Sequence, residues 1–519
     1  MNKFFVLSHP VFVALFFLLA LFAHNREQVL YRDLITPLLI TGAFIIVAWV
    51  FFLLLFRKNM EKIALATSFL LLFFFAYGHA FDPGGQGSYW IRQRYFFPLW
   101  TLFFAGGISV LFFTRRDLRK FSIGITLVVL GMNAVSSVTL ARYEIGENHP
   151  LVSPIDPSDV DWQKAVANKE ALPDIYYILP DAYSSTWALR EFYDYDNSAF
   201  EDFLKEREFY VVPKSRSNYS GTAFTLPSLL NLEYLDTLSV NGVMSRANTN
   251  PRRLIAENRV GPFLQALGYT YIHLGAIWEG DFRVPQADEN INKGLMSEFL
   301  LNLFKKTVIY PFAYHYNFLD DRYVTWERMR YQFDEVAKIP RRKEPTFTFF
   351  HLGAPHGPQV FYADGSFIES IEPSLRGDLD DENVKNPALQ KKYYPGQLTY
   401  VTKRLQELVK IILENSDTPP IIIIQSDHGS SLFSRADPNY RRNRLKNFSA
   451  YYLPYGGDAL LWEDITPVNT FRVIFNHYFG MNFEMLPDLS FALASQDEVL
   501  HPDWAFMNVT EEVADDYKK

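Results

Sequence analysis

Three short stretches of this 519-residue chain bring together residue types that do chemistry. Asp181 follows the apolar run IYYIL and Pro180. Ser426-Asp427-His428-Gly429 follows IIIIQ. The run FTFFHL, which contains His351, leads into Gly353-Ala354-Pro355-His356-Gly357. Adjacent Asp and His closed by a glycine form a compact ligand pair for a divalent cation. A charged pair at the end of four isoleucines needs a partner or a metal, because burying an unpaired charge is strongly unfavourable. The other reading of Asp181 is an N-cap of the helix that follows. A fourth stretch, Ser217 to Asn231 (SNYSGTAFTLPSLLN), has a Gly-Thr step opening an apolar helix. It places the Thr222 hydroxyl among free backbone N–H groups at a positive helix end, which favours a phosphate or sulfate and an alkoxide nucleophile. Standing alone, it reads as an ordinary threonine cap.

The elements that must position these residues are short, continuously apolar strands: 175–179, 209–212, 271–274, 347–352, 421–425 and 459–462 (ALLW). Apolar runs without alternation indicate strands covered by helices on both faces, hence an α/β domain with a mostly parallel sheet flanked by helices. Residues 400–415 have helical apolar spacing. In such sheets ligands sit beyond the carboxyl ends of the strands, where Asp181, His356, Asp427 and His428 fall. His351, His273 and His477 read as core histidines.

The chain carries 50 Lys/Arg against 58 Asp/Glu, a net charge of −8, and has no cysteine. That composition excludes a disulfide scaffold and argues against a nucleic-acid partner, which requires a basic face. The average conceals two unlike parts. Residues 1–141 hold twelve basic and five acidic residues (Glu27, Asp33, Glu61, Asp82, Asp117), a charge of +7, which leaves −15 for residues 142–519. The front contains five apolar runs, near 5–23, 34–56, 63–80, 96–113 and 121–140, each close to the roughly 20 residues that cross hydrocarbon. We therefore expect a five-helix transmembrane domain over 1–141, a proline-bearing juxtamembrane linker over 142–173 with a short helix at 161–171, and an extracytoplasmic domain over 174–519. Lys3, Arg57, Lys58, Lys62, Arg115, Arg116, Arg119 and Lys120 fall on the cytoplasmic side and Arg26, Arg32, Arg92, Arg94 and Arg142 on the other. The alternative for the first run is a signal peptide, which leaves the large domain on the same side.

The ordered set Asp181 (ILPDAY), Thr222 (SNYSGTAFTLPSLLN), His356 (HLGAPHGP) and Asp427-His428 (IIIIQSDHG) resembles the alkaline phosphatase superfamily, in its sulfatase-like branch. Membrane spans followed by such a domain are similar to lipoteichoic acid synthases and phosphoethanolamine transferases of the cell envelope. The resemblance implies that Asp181, Thr222, Asp427 and His428 surround one divalent ion (Mn, Zn or Mg). It also implies that Thr222 is the nucleophile, and that His356 contacts the transferred group or protonates the leaving oxygen. The implied protein is a plasma or inner membrane enzyme acting on an anionic lipid head group or glycan as a phospho-group transferase or hydrolase. Alternatives are a sulfatase-like ester hydrolase and a surface-binding pseudoenzyme. Formylglycine sulfatases need Cys or Ser, then Pro two residues on and Arg two beyond, whereas positions 222, 224 and 226 are Thr, Phe and Leu. The lack of disulfides tilts the comparison toward phosphoglycerol transfer. Arg216 and Asn218 before the nucleophile, and Arg441, Arg442 and Arg444 after the Asp-His-Gly motif, are the candidate substrate contacts. A solvated loop is the other reading of that basic run.

Overall fold

A computed structural model describes residues 3–26, 29, 31–57, 59–80, 89–146, 152–167, 171–237, 244–245, 251, 253–276, 283–292, 298–315, 321–369, 387–493, 503–504 and 506–514. Glu27, Lys58 and Asp82, and positions 147–151 and 168–170 of the expected linker, lie outside the described residues. The chain forms two compact units, Met1–His149 with Gly294–Asp320, and Pro150–Lys293 with Asp321–Lys519.

In the first unit all five apolar runs are helical in their described residues, but among the described residues three helices are long and apolar enough to cross a membrane: Ile35–Leu55, Gln93–Phe113 and Arg119–Glu144. The other two runs form the 16-residue helices His9–His24 and Met60–Phe75. Each is set off from a shorter helix by a single residue. Pro10 has no N–H, and the assigned helix stops short of Lys3–Leu7 at Ser8, whose backbone nevertheless stays right-handed helical and donates to Phe4 O at 3.0 Å. Ala76, also helical in φ and ψ, separates Met60–Phe75 from Tyr77–Ala80. On the three long helices Leu39, Val47, Leu54, Leu102, Phe113 and Val135 are each at least two-thirds exposed, an apolar surface suited to lipid.

This unit also takes in a segment from the middle of the sequence. Helix Glu298–Lys305 buries Phe299 with Phe22, and Leu303 with Leu18 and Phe75. The chain then pairs through Gly78 N to Lys306 O and Val308 N to Phe74 O, both 2.9 Å.

The second unit is built on a seven-stranded sheet in the order Tyr210–Val211, Ser449–Tyr452, Ile421–Gln425, Ile175–Pro180, Thr346–Leu352, Thr270–Leu274, Glu289–Asn290. The last five are mutually parallel, and Ser449–Tyr452 runs antiparallel to both Ile421–Gln425 and Tyr210–Val211. Every residue of the three central strands is buried. Their period-two geometry sends Tyr176, Ile178, Ile422, Ile424 and Phe350 into one apolar layer, with Leu398, Leu405 and Val409 of helix Pro387–Asn415. Tyr177, Leu179, Ile423 and Phe349 enter the other, with Leu226 and Leu230 of helix Thr222–Asn231 and Phe471 and Phe475 of helix Pro467–Phe479. Parallel register aligns Pro180 with Leu352 and Ile178 with Ile424, so Asp181, Gly353 and Asp427 leave the same edge.

Three local expectations are corrected. The run ALLW is not a strand: Gly456, at φ +83°, turns the chain into a single 3-10 turn, Gly457–Leu460, and Leu460 is exposed. The run 209–212 contributes only the edge pair Tyr210–Val211. No helix forms among the described residues of 161–171; a turn follows Asp161, and Val166 N and Ala167 N donate to His477 O and Tyr478 O respectively, both at 3.1 Å. Residues 142–146 of the expected linker instead extend helix Arg119–Gly146 of the first unit, while Trp162 packs edge-on to Phe479 in the second. Gly480 permits that approach: its φ is +64°, and a Cβ there would lie 2.2 Å from Asp161 O. Gly480→Ala should destabilise the unit by about 2 kcal/mol, from backbone strain and overpacking. Chemical denaturation of the full chain in detergent measures it, and an unchanged midpoint would refute the contact.

Candidate functional site

Asp181 caps the first central strand. Its N–H donates to Leu352 O and its carbonyl accepts from His356 N, both at 2.9 Å, so the Asp181 and His356 stretches are tied by main chain. Asp427 and His428 follow the neighbouring strand and are fully buried. Gly429 completes the turn because nothing larger fits: a Cβ would lie 2.1 Å from Asn443 O. Ser217 Oγ donates to the main-chain oxygen of Asp427, which links this turn to the loop before Thr222.

Thr222 is the first residue of helix Thr222–Asn231, after extended Gly221. Its hydroxyl donates to Asp427 Oδ2 at 2.5 Å, and Oγ1 lies 3.1 Å from His428 Nε2. His428 Nδ1 is 2.9 Å from Gly429 O and His356 Nδ1 2.7 Å from Gly357 O. A carbonyl only accepts, so both rings carry their proton on Nδ1 and present Nε2 as a lone pair. Asp181, His356 and His428 each offer a ligand atom, all within 4.8 Å of one another. The two oxygens of Asp181 are buried without a hydrogen-bond donor in bonding geometry; their close neighbours are His351 Nε2 at 3.4 Å and His428 Nε2 at 3.6 Å.

The electrostatics follow from two carboxylates in a dry place. Burial pushes the Asp427 carboxyl up to about 7, and the charge of Asp181 adds to it. Burial acts the same way on Asp181, but the imidazoles of His356, His351 and His428 outweigh it and hold that carboxyl well below its usual range. Burial, then the Arg444 guanidinium, holds His428 well below the ordinary histidine value, so it is neutral. A neutral imidazole, a hydroxyl and two carboxylate groups, with donor-free oxygens on Asp181, form a set that fits a divalent cation. Asp181, Asp427, His428 and Thr222 would hold it, and His356 is near enough to join them.

The remaining candidates divide. Arg444 reaches the site, with Nη2 3.0 Å from His428 Nε2. Arg441 instead pairs with Glu512 at 2.7 Å, and Arg442 donates to Asn439 and lies over Trp187. Arg216 is buried against Asp464 and the Asp488 carbonyl. Asn218 is spent on Thr466, Leu489 and Val468. Both brace the loop before Thr222. His273 stacks on Phe349, and His477 lies 3.2 Å from Tyr455 O, outside the site. His351, read as a core histidine, is buried but faces Asp181. The signal for it was its register opposite Leu179, two positions from that carboxylate.

No protein-family model matches the chain, and neither does any curated protein. Among solved structures, it is similar to the integral membrane protein lipooligosaccharide phosphoethanolamine transferase A from Neisseria meningitidis, at 13% identity and a TM-score of 0.39, covering 91% of this chain and 94% of that one. It is also similar to the C-terminal periplasmic domain of EcEptC from Escherichia coli in complex with Zn (9%, TM-score 0.40, 65% of this chain and 92% of that one). A third likeness is to the 2-O GAG sulfatase BT1596 (10%, TM-score 0.39, 67% and 87%).

A site of this kind should stabilise the protein when filled. Adding Mn²⁺ or Zn²⁺ to chelator-stripped protein at about 100 times its dissociation constant should add about 2.7 kcal/mol. Asp181→Asn should abolish both that gain and the metal content. Thermal unfolding with elemental analysis checks this; a stripped protein indifferent to both ions would refute the ligand set.

Proposed function

We propose that this chain is a membrane-anchored, divalent-metal-dependent enzyme that moves a phospho-linked group, using Thr222 as nucleophile. The observation that carries the reading is the Thr222 hydroxyl at a helix N-terminus, bonded at 2.5 Å to a buried carboxylate. A surface cap would not need such a partner. The substrate class is an anionic lipid head group or envelope glycan, phosphoglycerol or phosphoethanolamine being the groups transferred. The domain boundaries that accompany the reading are a membrane part over 1–141, a connecting stretch over 142–173, and an extracytoplasmic catalytic part over 174–519.

The chain's own groups account for the proton movements. As Oγ1 of Thr222 attacks phosphorus, its proton passes along the existing hydrogen bond to Asp427 Oδ2. The new Oγ1–P bond replaces the bond to the donor's alcohol, whose departing oxygen takes a proton from solvent, picked up by Nε2 of His356 and handed on. Attack by an acceptor hydroxyl, or by water, gives that nucleophile's proton to Nε2 of His356, breaks the Oγ1–P bond and returns the proton held on Asp427 to Oγ1 of Thr222. A divalent cation bound here would lower the hydroxyl pKa and neutralise charge developing on the transferred group. The helix N-terminus at Thr222 contributes free N–H groups toward the same anion.

Thr222→Ala should cut turnover of a labelled phosphatidylglycerol or phosphatidylethanolamine by at least about a thousandfold. Thr222→Ser, which keeps the hydroxyl, should retain measurable activity. Mass spectrometry of protein quenched during turnover should find the adduct on Thr222. Full turnover by the alanine variant, or hydrolysis of an aryl sulfate with no adduct on Thr222, would overturn the proposal.

A further inference from the structure

Arg444 ends the short helix Tyr440–Arg444, and four of its five N–H donors are assigned. Nε donates to Ser220 O at 2.8 Å, Nη1 to Gly429 O at 3.2 Å and to Ser431 Oγ, and Nη2 to His428 Nε2 at 3.0 Å. Its own carbonyl accepts from Gly429 N at 2.7 Å. The guanidinium therefore bridges two loops: Ser220 lies two residues before Thr222, and Gly429 directly follows His428. The plane of the fork is fixed by main-chain oxygens on both sides. One hydrogen of Nη2 remains unassigned among the described residues, on the nitrogen that faces the site.

Thr222 Oγ1 and Arg444 Nη2 are both within hydrogen-bond reach of the same imidazole nitrogen, at 3.1 and 3.0 Å. A phospho group on Oγ1 carries its non-bridging oxygens outward by one further bond, into the space that Nη2 borders. We infer that Arg444 grips a non-bridging oxygen of the phospho group that Thr222 attacks and then carries. This assignment rests on the reading of Thr222 as nucleophile. It separates Arg444 from Arg441 and Arg442, whose heads are turned to Glu512 and to Asn439 and Trp187. His428 would offer that same lone pair to a bound cation, which would free Nη2 to direct both its hydrogens to the anion. A pinned, planar fork suits this better than a lysine, since its direction is already set.

Inorganic phosphate, which does not turn over, tests the grip directly. Isothermal titration of the full chain in detergent, with bound metal quantified in each sample, would compare wild type with Arg444→Gln, Arg444→Lys and Arg441→Gln. Phosphate affinity should fall at least tenfold in Arg444→Gln and at least threefold in Arg444→Lys, with metal content unchanged. It should hold within twofold in Arg441→Gln. The assignment is overturned if Arg444→Lys binds phosphate as tightly as wild type, which remains informative should the glutamine variant fail to fold. It is also overturned if the Arg444 variants lose the metal, because the residue would then act only as a brace, or if wild type binds no phosphate. A phosphothreonine still trapped at position 222 in wild type would show that the nucleophile reading survives such a failure.

Discussion

Two carboxylates that cannot comfortably both be charged lie at the centre of this molecule. Asp181 and Asp427 leave adjacent parallel strands on the same edge, and both are essentially inaccessible to water. Burial, with the charge of Asp181 adding to it, pushes the Asp427 carboxyl up to about 7, while the imidazoles of His356, His351 and His428 hold Asp181 well below its usual range. The proton that relieves the pair is supplied in part by Thr222, whose hydroxyl points at Asp427. Whatever replaces that relief must be positive and small. On the proposed reading, the same constraint would favour a cation and would activate the threonine hydroxyl, because a carboxyl group that accepts its hydrogen bond sits against it.

Much of the second unit can be understood as holding this arrangement still. The register of the central strands sets Asp181 against Gly353 and Asp427. The loop carrying Thr222 is fixed from both ends. Arg216 and Asn218 tie it to the segments around Asp464, Thr466 and Asp488, while Ser217 ties it to Asp427 and, by its N–H, to Leu445 O. These are buried polar groups with their hydrogen-bonding capacity directed at backbone, the pattern that gives a loop one conformation. A nucleophile on a loose loop would lose the alignment on which its rate depends.

How far the sequence reveals this depends on whether a residue's role is local. Asp181, Asp427 and His428 were legible because a charge after a run such as IIIIQ has no bland place to go, and Thr222 because a Gly-Thr helix start is written in consecutive residues. The mostly parallel sheet was legible for the same reason: strands covered on both faces lose their alternation. His351 and Arg444 were not separable from their bland readings, since what gives them meaning is register with another strand and the carbonyls of two distant loops. The basic run after Asp-His-Gly looked like one grip but splits by helical direction into one residue inward and two outward. The run ALLW imitates a strand until Gly456 is allowed its positive φ. The helix Glu298–Lys305 has an apolar stripe that any amphipathic helix would show. Only three-dimensional packing reveals that Phe22, Leu18 and Phe75 receive it.

The charge balance sharpens what kind of substrate such a site can take. Residues 142–519 carry a net −15, which at first sight opposes an anionic head group. Free charge on the domain surface, however, is screened over about 8 Å at physiological ionic strength. Inside the site an arginine and a helix N-terminus stand against two carboxylates, with the neutral imidazole of His428 between them. With a divalent cation added, that local sum becomes positive where the diffuse field is negative. An anion anchored in a bilayer arrives by lateral diffusion and has little need of long-range steering, so the acidic exterior costs it little in encounter rate. The same exterior would disfavour a soluble polyanion such as nucleic acid, which must approach through that field with many charges at once.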